Sequence, residues 1–206
     1  GGRSNISYKL TDASGSSWVL RRPPLGHIMP SAHDMGREFR VLSGLNSVSF
    51  PTPKAQSFCA DEEIIGSKFM LMDFVDGRVI ESAETAMTLS DVQASEISQN
   101  LVDTLANLHC VDPVAAGLDQ LGRPEGYLQR QVKRWGEQWQ LTKTRELAEI
   151  EELHTWLEGA ISKLPTNLPS AIVHGDYRID NVILDPKTSE IIAVLDWEMS
   201  TLGDPI

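Results

Sequence analysis

Basic residues are scarce in this chain: 18 Lys and Arg stand against 29 Asp and Glu, giving a formal net charge of −11 over 206 residues. With no Lys/Arg run long enough to follow a phosphate backbone, nucleic acid is not an expected partner. Cysteine is nearly absent, and Cys59 and Cys110 lie far apart without Cys-x-x-Cys spacing. That argues against a disulfide framework or a zinc site and leaves both as packing residues. No apolar run approaches the roughly 20 residues needed to cross a bilayer. The opening GGRSNISYKL lacks the charged-then-apolar order of a secretory signal, so a cytoplasmic protein with no membrane partner is expected. Repeats and low-complexity segments are missing too. What is present is 41% hydrophobic residues, enough for a core in one domain or two small lobes.

Read along the chain, the first third is strand-like and the middle helical. The segment NISYKLTDASGSSWVLRRPP places two short apolar or β-branched runs around DASGSS, a turn composition, which predicts a hairpin ended by Pro23 and Pro24. Met35, Phe39 and Leu42 recur at helical spacing and predict a short amphipathic helix. TPKAQSFCA and KFMLMDFVDG read as a second strand pair, the latter apolar enough to be buried. Ser90 with Gln93 is a capping-box signature, followed by Ile97, Leu101, Leu105 and Leu108 on one helical face. Two further helices are expected, one through Leu128, Val132, Trp135 and Trp139, the other through Leu147, Ile150, Leu153, Leu157 and Ile161. The tryptophans, four residues apart, are expected in the core. Three short β runs then follow, AIVHGD, NVILD and IIAVLDWE. The order predicts an α+β, two-lobed arrangement with a cleft between the lobes.

The chemistry is concentrated in HGDYRIDN, residues 174–181, and in LDWE after the next hairpin. Asp176 follows a buried strand, Asn181 opens the next one, and Asp196 ends a further apolar run. Two carboxylates and an amide oxygen brought to one place suit a general base and a hard divalent ion such as Mg²⁺, which takes oxygen ligands and leaves positions for water and phosphate. Singly, each of these residues reads as an ordinary turn-capping Asp or Asn. The ordered set has the spacing of the kinase H-R-D-x-x-x-x-N motif with its later metal-binding Asp.

With Gly after the His, the chain resembles the aminoglycoside phosphotransferase and choline kinase-like family, whose fold is that of the protein kinases. The resemblance runs through the whole chain: GGRSNISY resembles the phosphate-covering loop, WVLRRPP the third strand, GREFRVL the lobe-bridging helix, MDFVDG the hinge and LANLHCVDP the first large helix. It implies a nucleotide-binding lobe over residues 1–75 and a catalytic lobe over 76–206, both incomplete at their outer ends. ATP and Mg²⁺ are the implied cofactors. Asp176 would be the base for an acceptor hydroxyl, Asn181 and Asp196 the metal ligands, and Arg178 a stabiliser of the transferring phosphoryl group. Ser4, Asn5, Arg21 and Glu38 would serve the phosphates, Asp73 and Val75 the adenine, and His174 the shape of the loop. Two departures stand out: Arg21 occupies the phosphate-binding lysine position, and the first loop has no G-x-G-x-x-G. VLRRPPLGHIMPSAHDMGREFRVL resembles the phosphotransferases fused to, or found beside, acyl-CoA dehydrogenases, which implies a hydroxyacyl-CoA or similar small-molecule acceptor. An aminoglycoside kinase and a nucleotide-binding pseudokinase are the alternatives.

Overall fold

The computed structural model describes residues 5–24, 34–165 and 169–205. The predicted hairpin forms, with β1 (Ile6–Thr11) antiparallel to β2 (Ser17–Arg22), and Asp12 folds its turn by accepting from the Ser14 and Ser16 amides. β3 (Ala55–Cys59) and β4 (Phe69–Asp73) complete a four-stranded antiparallel sheet in the order β1-β2-β4-β3. β4 lies between two partners and buries Met70 and Met72, as its continuous apolar run requires.

Helix α1 (Met35–Ser47) starts at Asp34, whose side chain accepts from the Arg37 amide, and buries Met35, Glu38, Val41, Leu42 and Leu45. It packs on β3 and on the short 3₁₀ turn Trp197–Met199. Beyond β4 come a one-turn helix α2 (Ala83–Ala86) and the long α3 (Asp91–His109), which opens on the predicted Ser90–Gln93 capping box. α4 (Tyr127–Thr142) and α5 (Ala148–Ile161) pack against each other. The remaining strands are short: β5 (Ala171–Val173) pairs with β8 (Thr201–Gly203), and β6 (Val182–Leu184) with β7 (Ile191–Val194).

One apolar cluster joins these parts, running from Val41, Leu42 and Leu45 through Met70 and Leu108 to Ile172, Val182, Val194 and Trp197. Gly77 admits the chain onto the β6–β7 hairpin, since a Cβ there would stand 2.7 Å from the Leu184 carbonyl oxygen.

Several expectations are corrected. Trp135 is 59% exposed and Trp139 half-buried, with its indole N–H given to Glu151; neither α4 nor α5 buries any residue. Their apolar stripes face each other across a groove of about 480 Å³ instead of entering the main core. Cys110 is exposed and Cys59 half-buried, both as free thiols. β8 was not expected, being three residues long and ending in glycine, which gives no alternation to read. No helix among the described residues is long and apolar enough to cross a membrane.

Candidate active site

β5 delivers His174, Gly175 and Asp176 to the end of the β6–β7 hairpin. Gly175 has φ +89, and a Cβ on it would lie 2.7 Å from the Met199 carbonyl oxygen. Both the left-handed backbone and the close approach demand glycine at this position. His174 is 1% exposed. Its Nδ1 accepts from the Asp176 amide at 3.3 Å, which leaves Nε2–H to donate to the Leu195 carbonyl at 2.8 Å. Burial lowers its pKa and keeps the ring neutral. Tyr177 ties the same loop to α3 by donating to the Leu101 carbonyl at 2.9 Å, and burial raises its phenol to about 12.

The loop then turns Asn181 back on Asp176. The Asn181 amide nitrogen donates to the Asp176 carbonyl oxygen at 2.9 Å and to its Oδ2 at 3.2 Å. Asn181 Oδ1 is thereby left as an acceptor beside the carboxylate. Leu195 is held from both sides, by His174 on its carbonyl and by its own N–H to the Asn181 carbonyl at 2.8 Å. The next residue, Asp196, is in the left-handed region at φ +64, an uncommon setting for a residue with a side chain. Arg178 pairs its guanidinium with Asp180, its side chain is 58% exposed, and the charges of Asp176 and Asp196 add to the pull of Asp180 on it.

From the sheet, Arg21 reaches two acids of the cleft, Asp196 and Glu38. One guanidinium nitrogen bonds Asp196 Oδ1, and Nε lies 3.1 Å from Glu38 Oε2. The second contact is Coulombic and not an aligned hydrogen bond, since neither atom has a hydrogen-bond partner. Burial raises Glu38 to about 7 against the opposing pull of Arg21. Arg22 faces the other way, bonding the Tyr8 hydroxyl at 2.8 Å.

Arg21, Glu38, Asp73, Val75 and Asp196 line one cavity of about 210 Å³, with Met72 on its wall. At the hinge, the Asp73 and Phe74 amides are taken by the carbonyls of Lys54 and Ser17. Val75 N–H has no such backbone partner among the described residues. Asn5 is buried and donates its amide to Glu198 Oε2 at 3.0 Å; Ser4 lies outside the described residues. Of the expected site residues, Arg178 is engaged by Asp180 while still near enough to feel the charges of Asp176 and Asp196, and only Ser4 is not described. Sequence reasoning missed Glu198 and Arg37, whose guanidinium bonds the Ser200 carbonyl at 2.6 Å. The second acid of LDWE was the available signal for Glu198; nothing marked Arg37.

Among the described residues no group of three His, Cys, Asp or Glu could hold an ion. An ion here would rest on the Asp196 carboxylate and Asn181 Oδ1, with other oxygens from water and phosphate. Such a sparse, all-oxygen set is how Mg²⁺ is usually held.

A cleft between a small antiparallel sheet and a helical part, with a His-Gly-Asp loop and a second Asp at its mouth, defines a kinase-like phosphotransferase fold. The chain belongs to the phosphotransferase enzyme family, whose model matches residues 1–206. It is 39% identical over 206 residues to rat acyl-CoA dehydrogenase family member 11, covering 100% of this chain and 26% of that protein. Among solved structures, a Ralstonia eutropha protein described as a candidate aminoglycoside phosphotransferase superposes with TM-score 0.83 at 36% identity, over 99% of this chain and 59% of that one. The GDP complex of wild-type aminoglycoside 2'-phosphotransferase-IIIa shares the fold at 15% identity, with TM-score 0.65 over 99% of this chain and 67% of that one. The chain thus spans about a quarter of the length of the curated relative.

Proposed function

We propose that this chain is the catalytic part of an ATP- and Mg²⁺-dependent kinase that phosphorylates a hydroxyl of a small molecule. The observation that carries this is a cavity lined by Arg21, Asp196 and the hinge residues Asp73 and Val75, with the bonded pair Asp176 and Asn181 joined to it through the Leu195 amide, which donates to the Asn181 carbonyl. Residues 1–75 act as the nucleotide-binding lobe and 76–206 as the catalytic lobe. Adenine meets the Asp73 carbonyl and the Val75 N–H, and Arg21 turns to the phosphates. Asn181 and Asp196 would hold Mg²⁺, which would supply positive charge to offset that of the phosphates.

Asp176 orients the acceptor hydroxyl and takes its proton as the oxygen forms its bond to the terminal phosphorus. The bond to the bridging oxygen breaks, and nucleoside diphosphate leaves. Asn181 keeps the carboxylate aimed by bonding its Oδ2, while His174 holds the loop and remains neutral. Arg178 reaches the transferring group only after exchanging Asp180 for phosphate oxygens.

For the acceptor, we infer a hydroxyacyl thioester, because the relatives are named as acyl-CoA dehydrogenase family members in which this region is one part of a longer chain. Association with such a dehydrogenase follows from the same reading. A second reading, an aminoglycoside kinase, is favoured by the solved neighbours and by the net charge of −11, which suits a polycation. The test is turnover by the full-length protein with ATP and Mg²⁺ on a hydroxyacyl-CoA, kanamycin, choline and homoserine. Phosphorylation of the thioester is expected. Turnover confined to kanamycin would favour the second reading, and no turnover on any hydroxyl would leave a nucleotide-binding pseudokinase.

A further inference from the structure

The segment from Asp196 to Ser200 is held to the sheet side of the molecule at three alternate residues. Arg21 of β2 takes Asp196, Asn5 at the start of β1 takes Glu198, and Arg37 of α1 takes the Ser200 carbonyl. The residue between the two acids goes the other way. Trp197 is fully buried, donates its indole N–H to the Val194 carbonyl at 2.9 Å, and packs its ring 4.6 Å from that of His174. Asp196 is thus carried on a short 3₁₀ turn whose Trp is anchored among the catalytic strands and whose acids are reached from the sheet.

We propose that Glu198 is a positioning residue for Asp196, acting through the hydrogen bond it accepts from Asn5. Asp196 sits in the left-handed region, a conformation that persists only where the surroundings fix it. The loop is clamped on its N-terminal side at Leu195; on its C-terminal side Glu198 and Ser200 supply the corresponding anchors. Asn5 is buried, Glu198 is half-buried, and the bond is 3.0 Å long, so the tie is partly shielded from water and worth more than a fully exposed contact. It also joins the stretch next to the first loop directly to the loop carrying Asp196. The inference rests on the reading of Asp196 as a Mg²⁺ ligand.

The test measures ATP binding to the full-length protein by calorimetry, once with Mg²⁺ and once with EDTA. Glu198→Ala is expected to reduce the Mg²⁺-dependent gain in affinity by about tenfold, the equivalent of one charge-assisted hydrogen bond, with binding in EDTA unchanged. Glu198→Gln keeps an oxygen for Asn5 and is expected to retain the gain to within about threefold. Asn5→Ala should give a loss in the same Mg²⁺-dependent part, no larger than that of Glu198→Ala, and adding it to Glu198→Ala should cost nothing more. Asn5→Ala also reads the tie from its other end if Glu198→Ala does not fold. Failure of Gln to rescue would make Glu198 a metal ligand and overturn the proposal. Equal losses with Mg²⁺ and EDTA, or additive effects of the two alanines, would overturn it as well. If wild-type protein binds ATP with no Mg²⁺ dependence, the underlying metal assignment falls and the inference with it; if wild type shows the dependence and Glu198→Ala keeps it, only the inference falls.

Discussion

A methyl group added at Gly175 would meet a backbone carbonyl oxygen at 2.7 Å on a residue whose φ is +89. Neither the clash nor the backbone angle can relax through a side-chain rotation. Gly175→Ala is therefore expected to cost at least about 2 kcal/mol, read as a lower urea midpoint, and to displace Asp176. Arg21 and Arg22 provide a paired test at the same scale, because strand alternation sends them to opposite faces. Arg21→Ala should weaken ATP binding about tenfold or more, the loss of a charge-assisted contact, whereas Arg22→Ala should alter it little, since Arg22 is spent on Tyr8 and Pro23. Equal effects in a binding titration would show that Arg21 does not serve the phosphates. Asp176→Asn should remove turnover by about a thousandfold while leaving nucleotide affinity within a few-fold, because the base acts on the acceptor. Parallel loss of both would mark the loop as a scaffold only. These residues were legible because HGDYRIDN and LDWE pair chemical type with spacing. Arg178 shows the limit: spacing places a residue on a loop but cannot say that the nearby Asp180 has engaged its side chain.

At the scale of elements, α1 carries a titration that its burial makes measurable. Glu38 is held at about 7 in the folded chain against 4.5 when exposed. Between those values the folded state binds more protons than the unfolded state, so the contribution of Glu38 to stability is greatest at low pH. It declines as pH rises from about 4.5 through 7, then levels off. Glu38→Gln should flatten that part of the profile of Tm against pH; a profile identical to wild type would show that Glu38 does not titrate in that window. The helix itself was readable from Met35, Phe39 and Leu42, and α3 from its capping box, since both signals are local. What covers a helix is not local. The stripe holding Trp135 and Trp139 has the same periodicity as a core helix, yet it faces α5 across a groove and leaves Trp135 and Trp156 exposed. Likewise β8 owes its existence to its pairing with β5, a partner about 30 residues earlier, and not to any pattern of its own.

For the molecule as a whole, the expected coupling is between ligand and fold. If ATP and Mg²⁺ bind across Arg21, Asp196 and the hinge, they join the sheet side to the catalytic strands and should raise Tm together. Ligand at about a hundred times its Kd contributes about 2.7 kcal/mol. ATP alone should give a smaller shift, and an identical shift with EDTA would argue against the metal site. The excess of acidic residues does not decide the acceptor, because a net charge describes the surface and says little about one pocket.

The Val194 amide donates to the Pro51 carbonyl at 2.9 Å, joining the end of β7 to the segment that follows α1, and Val194 is fully buried. A motion that parts the α1–β3 connection from the catalytic strands has to break this bond, so this proton exchanges with solvent deuterium only when that joint, or the fold around it, opens. The exchange rate of one amide therefore reports the opening of this joint. It should slow as nucleotide occupies the cleft, even in a variant that has lost all catalysis.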